Sequence, residues 1–186
     1  MAENLDVAAN RAAVKYSHPE IAKRVAWALA KPLFRWSPRV AFGWRNALLR
    51  LFGARVGRGV RIEPSVAVAM PWNLKLGDWS AVGANARLYS LGSITLGSGV
   101  TVSQGAHLCA GTHDYTDPKM PLLRPPVSVG DQAWICADAF VGPGVRVGEG
   151  AVIGARAVVV KDVEQWTVVA GNPARVVKRR TFGASR

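Results

Sequence analysis

Residues 129–159 read VGDQAWICADAFVGPGVRVGEGAVIGARAVV. Val129, Ile135, Val141, Val147, Ile153 and Val159 recur there at an unbroken spacing of six, and Gly130, Cys136, Gly142, Gly148 and Gly154 follow five of them. That spacing fits neither the 3.6 period of an amphipathic helix nor the period of two of a half-buried strand. It fits a short strand and a turn, repeated, with one aliphatic residue per hexad pointing inward. The small residue beside it is expected to let the backbone turn tightly. Three hexads make a triangular coil of 18 residues. Stacked coils then bury a continuous ladder of Val, Ile and Leu. A β-sandwich of many short strands is the rival, but sandwiches do not hold one phase over about 30 residues.

The same phase extends upstream. Leu76, Val82 and Leu88 precede a two-residue insertion, then come Leu96, Val102 and Leu108, and an earlier set is Val56, Ile62 and Val68. Coil counting puts Leu76, Leu96, Val129 and Val147 on one side, Val82, Val102, Ile135 and Ile153 on the second, and Leu88, Leu108, Val141 and Val159 on the third. A solenoid over residues 53–172 is the expectation. Residues 114–128 are surplus to the repeat and contain Pro118, Pro121, Pro125 and Pro126. Proline cannot donate to a sheet ladder, so this stretch is expected to protrude as a loop, a common place for function. His113 is the last repeat residue before it.

The ends differ. Residues 1–52 read as a helical, basic and aromatic segment in which Pro32 and Pro38 are expected to break the helices. In the last of these, Val40, Trp44, Ala47, Leu48, Leu51 and Phe52 recur at helical spacing. Residues 21–52 hold seven Lys or Arg and no acid. Two roles fit: a cap over the open first coil, and an interfacial contact with an anionic membrane. Residues 173–186 read as a basic tail in which Pro173 ends strand pairing.

Composition sets the outer bounds. A chain of 186 residues accommodates one domain with a real core. The formal net charge of +12 implies an anionic partner: nucleic acid, a phosphate-bearing cofactor or a lipid surface. No nucleic-acid motif accompanies the charge. Two cysteines, Cys109 and Cys136, are too few for a disulfide framework and suit a reducing compartment. The N-terminal stretch lacks an apolar secretory core, and no run of 18 uncharged apolar residues suggests a transmembrane helix. A cytoplasmic protein is expected.

Reactive side chains concentrate in Ser103–Tyr115, SQGAHLCAGTHDY. His107 and His113, six apart, belong near different corners of the coil, so they are not expected to share a site within one chain. His113, at the base of the loop, is a general-base candidate because imidazole titrates near neutrality. Cys109 takes the small-residue slot beside Leu108 and reads as a small buried thiol. A zinc hydrolyase of the γ-carbonic-anhydrase kind needs three histidines around one ion. Only two of the chain's three, His107 and His113, lie in the repeats, so no metal is expected. A non-catalytic binding scaffold is the other alternative.

The segments LCAGTHDYTDP (108–118), the hexads of 129–163 and VVAGNPARVVK (168–178) together resemble the galactoside, maltose and nodulation-type sugar O-acetyltransferases. With WSPRVAFGWRNALLRLFGARVG (36–57) and PWNLKLGD (71–78), the chain is closer still to the colanic-acid and exopolysaccharide O-acetyltransferases. The resemblance runs from about residue 30 onward. It implies an all-β fold, a left-handed parallel β-helix with an N-terminal helical segment and a protruding loop; the hand comes from the resemblance alone. It implies a bacterial homotrimer with active sites between subunits. The expected reaction moves an acetyl group from acetyl-CoA to a hydroxyl of a sugar or lipid-linked glycan. The family's catalytic histidine falls on His113, and Trp134 would form the wall beside it. Donor contacts fall on Ala137, Ala155, Val160 and Arg175, with Lys161 and Lys178 as further phosphate partners. The galactoside-type enzymes carry a serine and a threonine at positions 137 and 160; alanine and valine here cannot supply those hydroxyls. Asn85, Tyr89 and Asp114 are acceptor-side candidates, and Asp114 could also orient the imidazole.

Overall fold

A computed structural model describes residues 4–182 of the chain. Short parallel strands wind into a β-helix with three faces. One face stacks Val56, Leu76, Leu96, Val129 and Val147 in register. The second stacks Ile62, Val82, Val102, Ile135, Ile153 and Val169. The third stacks Val68, Leu88, Leu108, Val141 and Val159. These are the ladders the six-residue spacing predicts. Apart from the half-buried Val56 of the first coil, their side chains are almost wholly removed from water, and each of these contributes about 1.5–3 kcal/mol relative to exposure.

The turn chemistry differs from the sequence reading. The small residue after each inward aliphatic is not where the chain turns. The left-handed backbone falls on the third residue after it, at Gly99, Gly105, Gly144 and Gly150, and also at Trp79, Asn85, Gln132, Asp138 and Arg156. The adjacent glycine serves the stacking of coils instead. A Cβ on Gly130 would lie 2.6 Å from the backbone nitrogen of Glu149 one coil on. Small size is therefore demanded by the next coil rather than by the bend.

Three helices precede the coils: α1 (Val7–Ala12), α2 (His18–Arg35) and α3 (Phe42–Leu51). Ser17 caps α2, accepting from the Glu20 amide, and Pro19 stands near its start, where a missing N–H costs nothing. Pro32 was expected to break this helix, but α2 runs through it. Buried Trp27 and Phe34 hold the helix to the solenoid on both sides of the proline, and the Trp27 indole donates to the Val68 carbonyl at 3.0 Å. Only one backbone bond is forgone, and anchoring offsets it.

The buried side of α3 also differs from expectation. Val40, Trp44 and Leu51 face solvent, while Arg45, Asn46, Leu48 and Leu49 face the first coil. The reason is the open end of a solenoid, which presents carbonyls without partners. Arg45 donates to the carbonyls of Ile62 (2.6 Å), Pro38 (2.8 Å) and Arg39 (2.6 Å) and to the Ser37 hydroxyl (2.9 Å). Asn46 donates to Val60 at 2.8 Å. Burial pulls the Arg45 guanidinium down from its ordinary pKa, with Glu63 opposing.

At the other end the chain does not trail away after Pro173. Arg175–Arg179 folds back antiparallel to Thr167–Ala170 and extends the second face. Gly171, in the left-handed region, supplies the reversal.

Candidate active site

Residues 114–128 only partly fit the loop reading. Val127–Val129 is a strand of the first face, and Leu122–Leu123 pairs antiparallel with Thr112–His113. The four prolines stay outside strands. His113 therefore stands on a two-stranded hairpin springing from the corner after the third face, rather than on a coil.

Its imidazole is held by one strong contact. Nδ1 lies 2.7 Å from the Met120 carbonyl oxygen. A carbonyl only accepts, so the bond places the proton on Nδ1 and leaves the Nε2 lone pair unspent. Met120 itself has φ of 45°, an uncommon conformation for a residue with a side chain. Its N–H donates to Asp117 at 2.8 Å, and its carbonyl takes a second donor, the Asn10 side-chain amide at 2.7 Å. Asn10 also donates to the Lys119 carbonyl at 2.6 Å and accepts from the Lys15 ammonium at 2.9 Å. Asp6 N–H donates to Pro118 at 2.9 Å. The segment around α1 thus roofs a cavity of about 220 Å³ lined by Leu5, Asp6, Val7, Asn10, His113 and Met120 among others. α1 buries no side chain; polar contacts to loop carbonyls hold it.

Asp114 does not orient the imidazole. Its carboxylate accepts from the Thr116 hydroxyl (2.6 Å) and amide (2.9 Å), and these bonds lower its pKa. The adjacent residue points into its own turn, and the Met120 carbonyl does the orienting. Asn85 is an exposed corner residue at φ 60° whose N–H donates to the Ser65 hydroxyl. Tyr89 is on the third face beside α2, outside the His113 cavity. His107 packs edge-on between Tyr89 and Phe140; burial, then Arg87, lowers its pKa. Cys109 and Cys136 are half-buried rather than buried, and burial raises both thiols, so neither favours the thiolate a nucleophile needs.

The donor-side candidates form two groups. Trp134 is half exposed on the second face, its indole donating to the Ser103 hydroxyl at 2.9 Å. Ala137 and Ala155 sit one above the other at the following corner, and the Arg156 N–H donates to the Ala137 carbonyl at 2.9 Å. Val160, Lys161 and Arg175 line a depression of about 430 Å³ that also contains Asp162 and Glu164. Lys178 lies on the returning strand opposite Val168. Among the described residues, the depression at Val160, Lys161 and Arg175 and the cavity beside His113 have no lining residue in common. Among the described residues no three His, Cys, Asp or Glu side chains converge as a metal site.

Comparison with known proteins identifies the family of the fold. The family described as bacterial transferase hexapeptide (six repeats) matches residues 126–161. WcaF of Escherichia coli (strain K12), provisionally named a colanic acid biosynthesis acetyltransferase, is 44% identical over 83% of this chain and 85% of its own length. The chain belongs to the hexapeptide-repeat acetyltransferases. The galactoside O-acetyltransferase of Escherichia coli (strain K12) is 28% identical to this acetyltransferase over 72% of the chain and 68% of its own length. A hexapeptide-repeat acetyltransferase of Vibrio cholerae O1 biovar eltor, solved with acetyl coenzyme A, shares the fold with a TM-score of 0.82 at 22% identity, covering 91% of this chain and 93% of that one.

Sequence reasoning missed Asn10 and Met120. The stretch NLDVAANRAAVKYSHPE offers helix caps at Asp6 and Ser17, and nothing in it points to carbonyls some 110 residues away.

Proposed function

We propose that this acetyltransferase moves an acetyl group from acetyl-CoA to a hydroxyl of a sugar in a surface-polysaccharide precursor, with His113 as general base. The observation that carries the reading is the His113 Nδ1 bond to Met120, which leaves Nε2 free to accept a proton. Nε2 takes the hydroxyl proton as the oxygen attacks the thioester carbonyl. The tetrahedral intermediate collapses, the CoA thiolate leaves, and the imidazolium returns its proton to that sulfur. The names of the relatives support acetyl transfer, a glycan acceptor and acetyl-CoA as donor. Trp134, Ala137 and Ala155 would line the pantetheine arm. Val160, Lys161, Arg175 and Lys178 would meet the nucleotide end, where the cations match phosphates. Because His113 and Trp134 belong to different sides of one chain, the complete site is formed across a subunit boundary of a homotrimer. Asn85 and Tyr89 remain acceptor-side candidates in that assembly.

The same reading places the enzyme at the cytoplasmic face of a membrane. Ile21, Val25, Leu29 and Leu33 form an exposed row along α2, continued by Trp36 and Val40 and flanked by Lys23 and Arg35. No helix among the described residues is long and apolar enough to cross a membrane. Such a row suits an interfacial helix.

Thiol release from acetyl-CoA with a panel of sugars and polysaccharide repeat units tests the chemistry. His113→Ala is expected to lower acceptor-dependent release at least about 10²-fold. Unchanged release in that variant rejects His113 as the base. Sedimentation with phosphatidylglycerol vesicles at low salt tests the membrane reading, which fails if the protein stays in the supernatant.

A further inference from the structure

A second groove, of about 430 Å³, runs between α2 and the third face of the β-helix. Its floor is apolar, formed by Ala69, Met70 and Leu91, and its α2 wall carries Ile21, Val25 and Ala28. Two cations stand in that wall, Arg24 and Lys31, seven residues apart on the same helix. Neither has a carboxylate within ion-pair distance among the described residues.

Arg24 is held in place without being neutralised. Its guanidinium carbon lies 3.8 Å from the centroid of the Tyr16 ring. An aromatic face takes none of the guanidinium's N–H donors in a hydrogen bond to oxygen, so they stay available to an oxyanion. Arg124 approaches the same ring at 4.9 Å, but its charge is matched by Glu20 at 2.7 Å. One of the two arginines on this tyrosine is therefore paired, and the one facing the groove is not. An unpaired, oriented guanidinium above an apolar floor recognises an anion that carries hydrocarbon. A soluble nucleotide would leave that floor without a partner.

The groove also adjoins the strand that leads to the candidate base. A Cβ on Gly111, two residues before His113, would sit 3.2 Å from the Tyr89 ring, and Tyr89 lines the groove.

We propose that this groove binds a phosphate or diphosphate ester of an apolar chain, the carrier end of a lipid-linked acceptor. As a substrate assignment this rests on the acetyl-transfer reading; the binding itself does not. Isothermal titration of the full chain with farnesyl diphosphate is the test, with farnesol and inorganic diphosphate as partial ligands. Farnesyl diphosphate is expected to bind at least about 10-fold more tightly than either part, because floor and cations act together. The double variant R24A/K31A is expected to lose about 10-fold in that affinity while its melting curve and its acetyl-CoA binding stay unchanged. Arg24→Lys, which keeps charge without a planar stack, is expected to fall between. The proposal is overturned by equal binding of inorganic diphosphate, by unchanged affinity in R24A/K31A, or by displacement of farnesyl diphosphate by acetyl-CoA. Binding to phosphatidylglycerol vesicles with none to farnesyl diphosphate also overturns it, assigning the cations to the bilayer surface. No turnover enters these measurements, so their failure is separate from a failure of His113 as base.

Discussion

A single carbonyl decides how His113 presents its ring. Met120 oxygen receives two donors at 2.7 Å, one from the imidazole and one from Asn10. Removing Asn10 leaves the ring its partner but frees the carbonyl, in a residue whose φ of 45° needs holding. Asn10→Ala is therefore expected to lower kcat about 10-fold and leave the KM for acetyl-CoA unchanged, because loosened positioning costs rate rather than donor affinity. Nitrogen NMR of the free enzyme adds the decisive readout: the share of rings carrying the proton on Nδ1 should fall, since the Met120 carbonyl fixes the tautomer. An unchanged tautomer with lower activity would mean that Asn10 only stabilises the roof.

Among the repeated elements, glycine has two jobs, and they predict different penalties. Gly99 has φ of 66°, with only the Gln132 side chain near a new Cβ, at 3.8 Å. Gly130 has an ordinary backbone but no room above it. Gly99→Ala should cost about 1–2 kcal/mol through conformation alone, and Gly130→Ala about 1–3 kcal/mol through a clash that the next coil must relieve. Replacing Gln132, at φ 58°, with Gly gives the control, a backbone relieved of strain with no change in stacking. Urea denaturation reads all three; equal losses at positions 99 and 130 together with a large loss at 132 would reject the division of roles. These elements also show what was legible. The three ladders could be read because each inward position depends only on the coils immediately above and below, so local periodicity carries the whole pattern. The two-stranded hairpin at His113, the returning strand Arg175–Arg179 and the roof over the cavity could not. Each depends on one reversal or one distant carbonyl, and neither leaves a period. Pro32 misled for a related reason: tertiary anchoring by Trp27 and Phe34 outweighed a local rule. His113 was proposed from its place at the end of a run of hexads and from family likeness, whereas the carbonyl that holds its ring left no mark in the sequence.

For the whole molecule, the proposal that His113 works with Trp134, Ala137 and Ala155 across a subunit boundary would make activity a property of the assembly. Light scattering is expected to give three times the 19.9 kDa chain mass. Co-refolding His113→Ala with Ala155→Trp, each inactive alone, should restore about one quarter of wild-type turnover, since a boundary works when an intact base meets an intact donor wall. No recovery would place base and donor in the same chain. Charge is arranged on the same scale. Twenty-four Lys and Arg face twelve acids, and cations gather both along α2 and on the strand Arg175–Arg179 at the opposite end of the coils. On the proposed assignments, the first zone would meet the acceptor's carrier and the second the donor's phosphates.

The roof over His113 has a temporal consequence. During synthesis each coil can settle on the one before it as it emerges, so the ladder needs no distant partner. Asn10 is different: it must wait for Met120, 110 residues further along the chain. The coils that precede the hairpin can therefore settle on the ribosome while the imidazole is still unaligned, and its alignment waits until the hairpin has emerged and met a segment translated long before it.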